Sequence, residues 1–165
     1  AIEISSKNNS RRYFIATCPE IDDEIIERIE KHKNEREQLD FITIEEELHI
    51  SQQLENIPPD STVLIDCLTL WINNLMFHKR GKEKYFLENE IQQKISRFIN
   101  ISKERRLNLV CVSNEIGMGI VPADKESRLY RDLVGKCNRL CAEYCDTVYM
   151  VSCGLPVTLK EKRTI

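Results

Sequence analysis

Glycine is scarce in this chain of 165 residues. There are five, and none stands in a GxxxxGK(S/T) arrangement, so the residues present hold no phosphate-cradling loop of that type. Proline also numbers five, and with 41% hydrophobic and 31% charged residues the composition excludes a collagen-like or disordered chain. No CxxC pair occurs, and the seven cysteines are an odd count, which weakens both a disulfide framework and a zinc knuckle. There is no apolar run of 18 residues, and Ala1 to Arg12 are polar, which argues against a membrane span and a secretion signal. Net positive charge is lacking too: a formal charge of −3 gives no global field for nucleic acid or anionic lipid. What remains is one globular domain over residues 1–165, with small ligands favoured over polymers and reduced thiols in a cytoplasmic setting.

Short apolar runs alternate with longer amphipathic stretches, the pattern of parallel strands joined by crossover helices. Strands are predicted at Arg12 to Thr17, Phe41 to Ile44, Thr62 to Asp66, Asn108 to Ser113, Thr147 to Val151 and Val157 to Lys160. Val63-Leu64-Ile65 and Leu109-Val110-Cys111-Val112 are apolar at consecutive positions, which predicts central strands buried on both faces. Helices are predicted at Asp22 to Lys33, Ile44 to Asn56, Leu68 to Phe77, Lys84 to Arg105 and Lys125 to Tyr144. The charged stretch His78 to Lys84 reads as a solvated loop.

In a parallel α/β sheet, ligands meet the carboxyl ends of the strands. The first strand ends in Ala16-Thr17-Cys18, where a hydroxyl and free amides suit a phosphate or a ribose. The third ends in Asp66, a carboxylate placed to hold Mg²⁺ in phosphate transfer; strand-end aspartates are also common without that role. The fourth runs into Ser113-Asn114-Glu115 and a Gly117-Met118-Gly119 turn, which offers Asn114 and Glu115 to a site or else is an ordinary connection. On the helix from Asp22, residues Ile25, Ile29, His32 and Arg36 share a face, so His32 sits at a core edge. Such a histidine serves structure or catalysis; Lys31, Lys33 and Arg36 around it favour a neutral, nucleophilic imidazole near a triphosphate. Arg128, Arg131 and Asp132 fit anion binding or an intrahelical ion pair equally well. Cys137, Cys141 and Cys145 recur every fourth residue and read as core thiols, with a metal stripe as the alternative.

The segments Tyr13-Phe14-Ile15-Ala16-Thr17, Asp22-Asp23-Glu24 with Arg28-Ile29 and His32 to Arg36, Leu64 to Trp71 with Asn74-Leu75, and Val112 to Pro122 with Arg128, Arg131-Asp132, Gly135 and Asn138 occur in one order. Together they resemble the bifunctional adenosylcobinamide kinase / adenosylcobinamide-phosphate guanylyltransferase family of cobalamin biosynthesis, from the first residues to about Lys160. The resemblance implies a P-loop NTPase-like (RecA-like) α/β fold, with a mostly parallel sheet flanked by helices, and a trimer. It implies phosphorylation of a corrinoid hydroxyl, with ATP or GTP as donor, and then transfer of GMP from GTP through a guanylylated histidine at His32. Nucleotide contacts carried over from it are Ala16, Thr17, Cys18, Lys33, Asn34, Glu35, Arg36, Glu45 and Asp66, with Mg²⁺ at Asp66.

The family's first strand and its GxxxxGK(S/T) loop have no counterpart in these residues, and Ala1 falls on the helix that follows that loop. The expectation is a natural N-terminus further upstream; the rival is a degenerate, non-catalytic nucleotide-binding relative. Arg139 stands where the family usually has glutamine.

Overall fold

A computed structural model describes residues 1–6, 10–19, 33, 38–79, 81 and 84–161. Its elements are α1 (Ile2–Ser5), β1 (Arg12–Ala16), β2 (Phe41–Glu45), α2 (Ile50–Asn56), β3 (Thr62–Asp66), α3 (Leu68–His78), α4 (Lys84–Glu104), β4 (Asn108–Cys111), α5 (Lys125–Tyr144), β5 (Thr147–Ser152) and β6 (Leu155–Glu161). The expected helix from Asp22 lies outside the described residues apart from Lys33, and with it His32, Asn34, Glu35 and Arg36.

Four strands form a parallel sheet in the order β2-β1-β3-β4. The α/β expectation is met, and β1 and β3 are buried along nearly their whole length. Alternation sorts their side chains onto two faces. Tyr13, Ile15, Val63 and Ile65 join the larger core under α2, α3, α4 and α5, where Trp71 meets Phe98 edge-on at 6.0 Å. Phe14, Ala16, Phe41 and Leu64 form a smaller cluster on the opposite face, with Phe14 and Phe41 edge-on at 6.3 Å.

Three expectations need correction. The Asn108 to Ser113 run was expected to be central; β4 instead stands at the sheet edge among the described strands, with its apolar residues only half-buried. A continuous apolar run records burial potential without naming the neighbours that satisfy it. The helix expected from Ile44 begins at Ile50. Residues 41 to 45 extend as β2, and Glu46 then accepts hydrogen bonds from the backbone N–H of Leu48 and of His49 and from the Gln53 amide, which delays the helix. The last two strands form a separate antiparallel hairpin, β5 with β6, closed at Cys153-Gly154, where both residues have positive φ. β6 is exposed at all seven positions.

Candidate active site

The chain order decides where a ligand meets this sheet. From β1 the chain passes to β2 on one side, whereas from β3 it passes to β4 on the other. The loops leaving β1 and β3 therefore diverge, and the opening between their carboxyl ends is the topological switch point of an open parallel sheet.

Register places the sequence candidates at that opening. Ala16 pairs with Glu45 on one side and with Asp66 on the other, so Glu45, Ala16 and Asp66 form one row across three strand ends. Both carboxylates are exposed. Lys33 reaches the same row, its Nζ 3.1 Å from Glu45 Oε1. Cys18 is half-buried on the β1 side.

Thr17 differs from its expected availability. It is fully buried, and its hydroxyl donates to the Cys67 carbonyl and accepts from the Cys67 N–H, both at 2.8 Å. Its own carbonyl accepts from the Asn74 amide at 2.8 Å, and Asn74 also donates to Glu47 O. Thr17 and Asn74 thus tie the three loops at the opening together.

Asn114 and Glu115 are exposed beyond β4. The Asn114 N–H donates to Thr69 Oγ1 at 2.7 Å, and the Asn114 carbonyl accepts from Asn138. Ser113 donates to Asn138 Oδ1 at 2.6 Å, and the Tyr130 hydroxyl donates to the Thr69 carbonyl. Burial, then the neighbouring Cys67 thiol, raises the Tyr130 pKa, so this hydroxyl stays a donor. Glu115 accepts from the Gly117 N–H at 2.7 Å, and a Cβ at Gly117 would lie 2.6 Å from that same carboxylate oxygen. Glycine is what lets the carboxylate close over the turn.

Of the two expectations for Arg128 and Arg131, the intrahelical ion pair with Asp132 is not formed among the described residues. Arg131 donates to the Gly117 carbonyl and Arg128 to those of Pro122 and Ala123, so both staple the glycine turn to the helix. Asp132 pairs instead with Lys84 at 2.6 Å. Thr69, Asn74, Ser113, Tyr130 and Asn138 were not singled out as site residues from the sequence. Asn74 carried a usable signal: it follows Trp71 by three positions and precedes Leu75 on a face that is otherwise apolar.

Of the cysteine stripe, Cys137 and Cys141 are core residues and Cys111 of β4 packs against them. A hydrogen bond with Cys141 and then burial push the Cys137 thiol pKa far up, and burial raises those of Cys111 and Cys145. These are protonated, apolar-packed thiols rather than nucleophiles.

A hard-oxygen ion suits this opening: Asp66 offers an exposed carboxylate in line with Glu45, and Mg²⁺ is held by one or two carboxylates together with substrate phosphates. An open parallel sheet with carboxylates at its switch point is the arrangement of an α/β protein that takes a ligand at the carboxyl ends of its strands. Comparison with known proteins narrows this. The family model for cobinamide kinase / cobinamide phosphate guanyltransferase, CobU, matches residues 1–159. The bifunctional adenosylcobalamin biosynthesis protein CobU of Escherichia coli K12 is 31% identical over 93% of this chain and 88% of its own length. CobU of Salmonella typhimurium is 32% identical over 89% and 84%, and CobP of Pseudomonas aeruginosa is 32% identical over 89% and 81%. The chain belongs to the cobinamide kinase / cobinamide phosphate guanyltransferase family.

Proposed function

We propose that this chain phosphorylates the hydroxyl of adenosylcobinamide and then transfers GMP from GTP to the resulting phosphate, with His32 as the transient carrier. The supporting observation is the Lys33–Glu45 ion pair. It ties the residue that follows His32 in sequence to the strand-end row of Glu45, Ala16 and Asp66.

The chemistry balances in two displacements. A neutral His32 ring nitrogen attacks the α-phosphorus of GTP; a P–N bond forms, the bond to the bridging oxygen breaks, and pyrophosphate leaves. A phosphate oxygen of the corrinoid then attacks the same phosphorus, a P–O bond forms, the P–N bond breaks, and the imidazole returns to its starting state. Lys33, Asn34, Glu35 and Arg36 are assigned to the nucleotide with Ala16, Cys18, Glu45 and Asp66. Thr17 is assigned there through its position in the loop, since its hydroxyl is engaged by Cys67. Mg²⁺ held at Asp66 would neutralise phosphate oxygens during both transfers. Asn114 and Glu115, held in place beyond β4, are assigned to the second substrate's side of the opening.

We further assign GTP or ATP to the kinase step, residues 1–159 and the short remainder to one domain, and the working state to a cytoplasmic homotrimer. Core-packed thiols such as Cys137 and Cys141 suit a reducing compartment. Exposed apolar residues on the turn, Met118, Ile120 at 96% exposure and Val121, suit coverage by another copy. Among the described residues no helix is long and apolar enough to cross a membrane.

Incubation with GTP labelled on the α-phosphate tests the carrier. The expected result is an acid-labile covalent label that is absent from His32→Ala. Unchanged labelling of that variant would remove His32 from the mechanism, and no label in the wild-type protein would favour a non-catalytic nucleotide-binding relative.

A further inference from the structure

The first turns of α4 and the middle of α5 enclose a groove of about 410 Å³, bordered by Gly117 of the turn. Its lining is almost wholly charged: Lys84 and Glu88 from α4, and Arg131, Asp132, Lys136 and Arg139 from α5. Four cations face two carboxylates, so the groove carries an excess of positive charge on a chain whose net charge is −3.

That excess is ordered. Lys84 lies 2.6 Å from Asp132 and 3.9 Å from Glu88, and Glu88 lies 3.1 Å from Lys136, so the two lysines and two acids form one network between the helices. The arginines are what the acids leave over. Arg131 gives one donor to the Gly117 carbonyl, and Arg139 is exposed, with no carboxylate partner among the described residues. A guanidinium has five N–H donors in a planar fork, so both retain donors suited to phosphate oxygens. They stand two turns apart on α5, about 12 Å along the axis at 1.5 Å per residue.

Midway between them is Gly135, which also lines the groove. A glycine inside a helix is less stable than alanine by roughly 1 kcal/mol, and here the described residues supply no packing reason for it. Gly135 is not at positive φ, and a Cβ there would meet no described atom within 4 Å, so no element among the described residues requires close approach. The missing side chain leaves bare floor between two arginines.

We infer that this groove binds a di- or triphosphate chain, with Gly135 as its floor, Arg131 and Arg139 as its ends and Lys84 and Lys136 along its wall. The inference does not depend on His32 or on the transfer reaction. Two sources present this chemistry: free pyrophosphate, and the phosphate tail of a nucleotide.

Calorimetric titration with pyrophosphate, and separately with GTP in competition, tests the site on the whole protein. Pyrophosphate is expected to bind saturably, to weaken roughly tenfold in Arg139→Gln through loss of one charge-assisted fork, and to be excluded by Gly135→Leu. Gly135→Ala is expected to raise the thermal midpoint while weakening pyrophosphate, a combination that damage to the fold cannot produce. Asp66→Asn, at the strand-end row, is expected to leave pyrophosphate binding in place. Competition by GTP identifies a nucleotide tail as ligand, and its failure identifies the free anion; both outcomes support the groove. The inference is overturned by no saturable binding, by pyrophosphate affinity unchanged in both Gly135→Leu and Arg139→Gln, or by loss of binding in Asp66→Asn alone. Loss of self-association in Gly135→Leu together with normal binding in Arg139→Gln also overturns it, because Gly135 would then be a packing glycine.

Discussion

Thr17 holds the loops at the switch point with one hydroxyl. Buried and bonded to both the N–H and the carbonyl of Cys67, it cannot be replaced by an isosteric apolar group without leaving the Cys67 N–H unpaired, while the Cys67 carbonyl keeps the Trp71 N–H at 3.1 Å. Thr17→Val is therefore expected to destabilise the protein by about 1–3 kcal/mol, read as a lower urea midpoint at unchanged slope, while Thr17→Ser stays near wild type. Equal stability of the two variants would show that the hydroxyl is not the clamp. The sequence singled out Thr17 correctly as a strand-end hydroxyl, yet its chemistry is directed inward. Arg131 teaches the same point: its charge was plain in the sequence, but the partner it found was the Gly117 carbonyl, a group every residue possesses.

Among the elements, the start of α2 shows how one side chain sets a boundary. Burial alone would raise the Glu46 pKa, but hydrogen bonds from the His49 and Leu48 amides and the Gln53 side chain outweigh it, and the carboxyl is held below its ordinary value of 4.5. A lowered folded-state pKa contributes stability that is present above the unfolded pKa and is lost as pH falls through the folded one. Glu46→Gln is therefore expected to cost roughly 1 kcal/mol at neutral pH, on the scale of a helix cap. The difference should vanish below the carboxylate range. Chemical denaturation of both proteins at several pH values checks this; a gap constant with pH would mean the charge is immaterial. Neither the extension of β2 to Glu45 nor the delayed helix was legible beforehand, because Ile44 and Leu48 satisfy either periodicity and the deciding bonds come from a polar residue between them.

Across the whole molecule, stability is unevenly distributed. The parallel sheet has β1 and β3 buried between two apolar clusters, whereas the β5–β6 hairpin is largely exposed, with Lys160 bonded to the Ala142 and Glu143 carbonyls at the end of α5. A two-stranded hairpin is marginal by itself, so its amides are expected to exchange hydrogen through local opening, well before those of β1 and β3. Cys153→Asn, at a turn position with φ of 53°, is expected to slow hairpin exchange and leave sheet exchange unchanged. Equal protection of hairpin and sheet would show that something covers the hairpin. At this scale the sequence determined the α/β class and its strand ends, since contiguous apolar runs such as Tyr13 to Ala16 and Val63 to Ile65 encode burial on both faces locally. Only the tertiary structure decided that β4 lies at an edge among the described strands, that Lys33 meets Glu45, and that two arginines and a bare glycine share one groove. Those relations join residues across separate elements, and a charge or an apolar run does not specify which of several equivalent partners the fold will bring within reach.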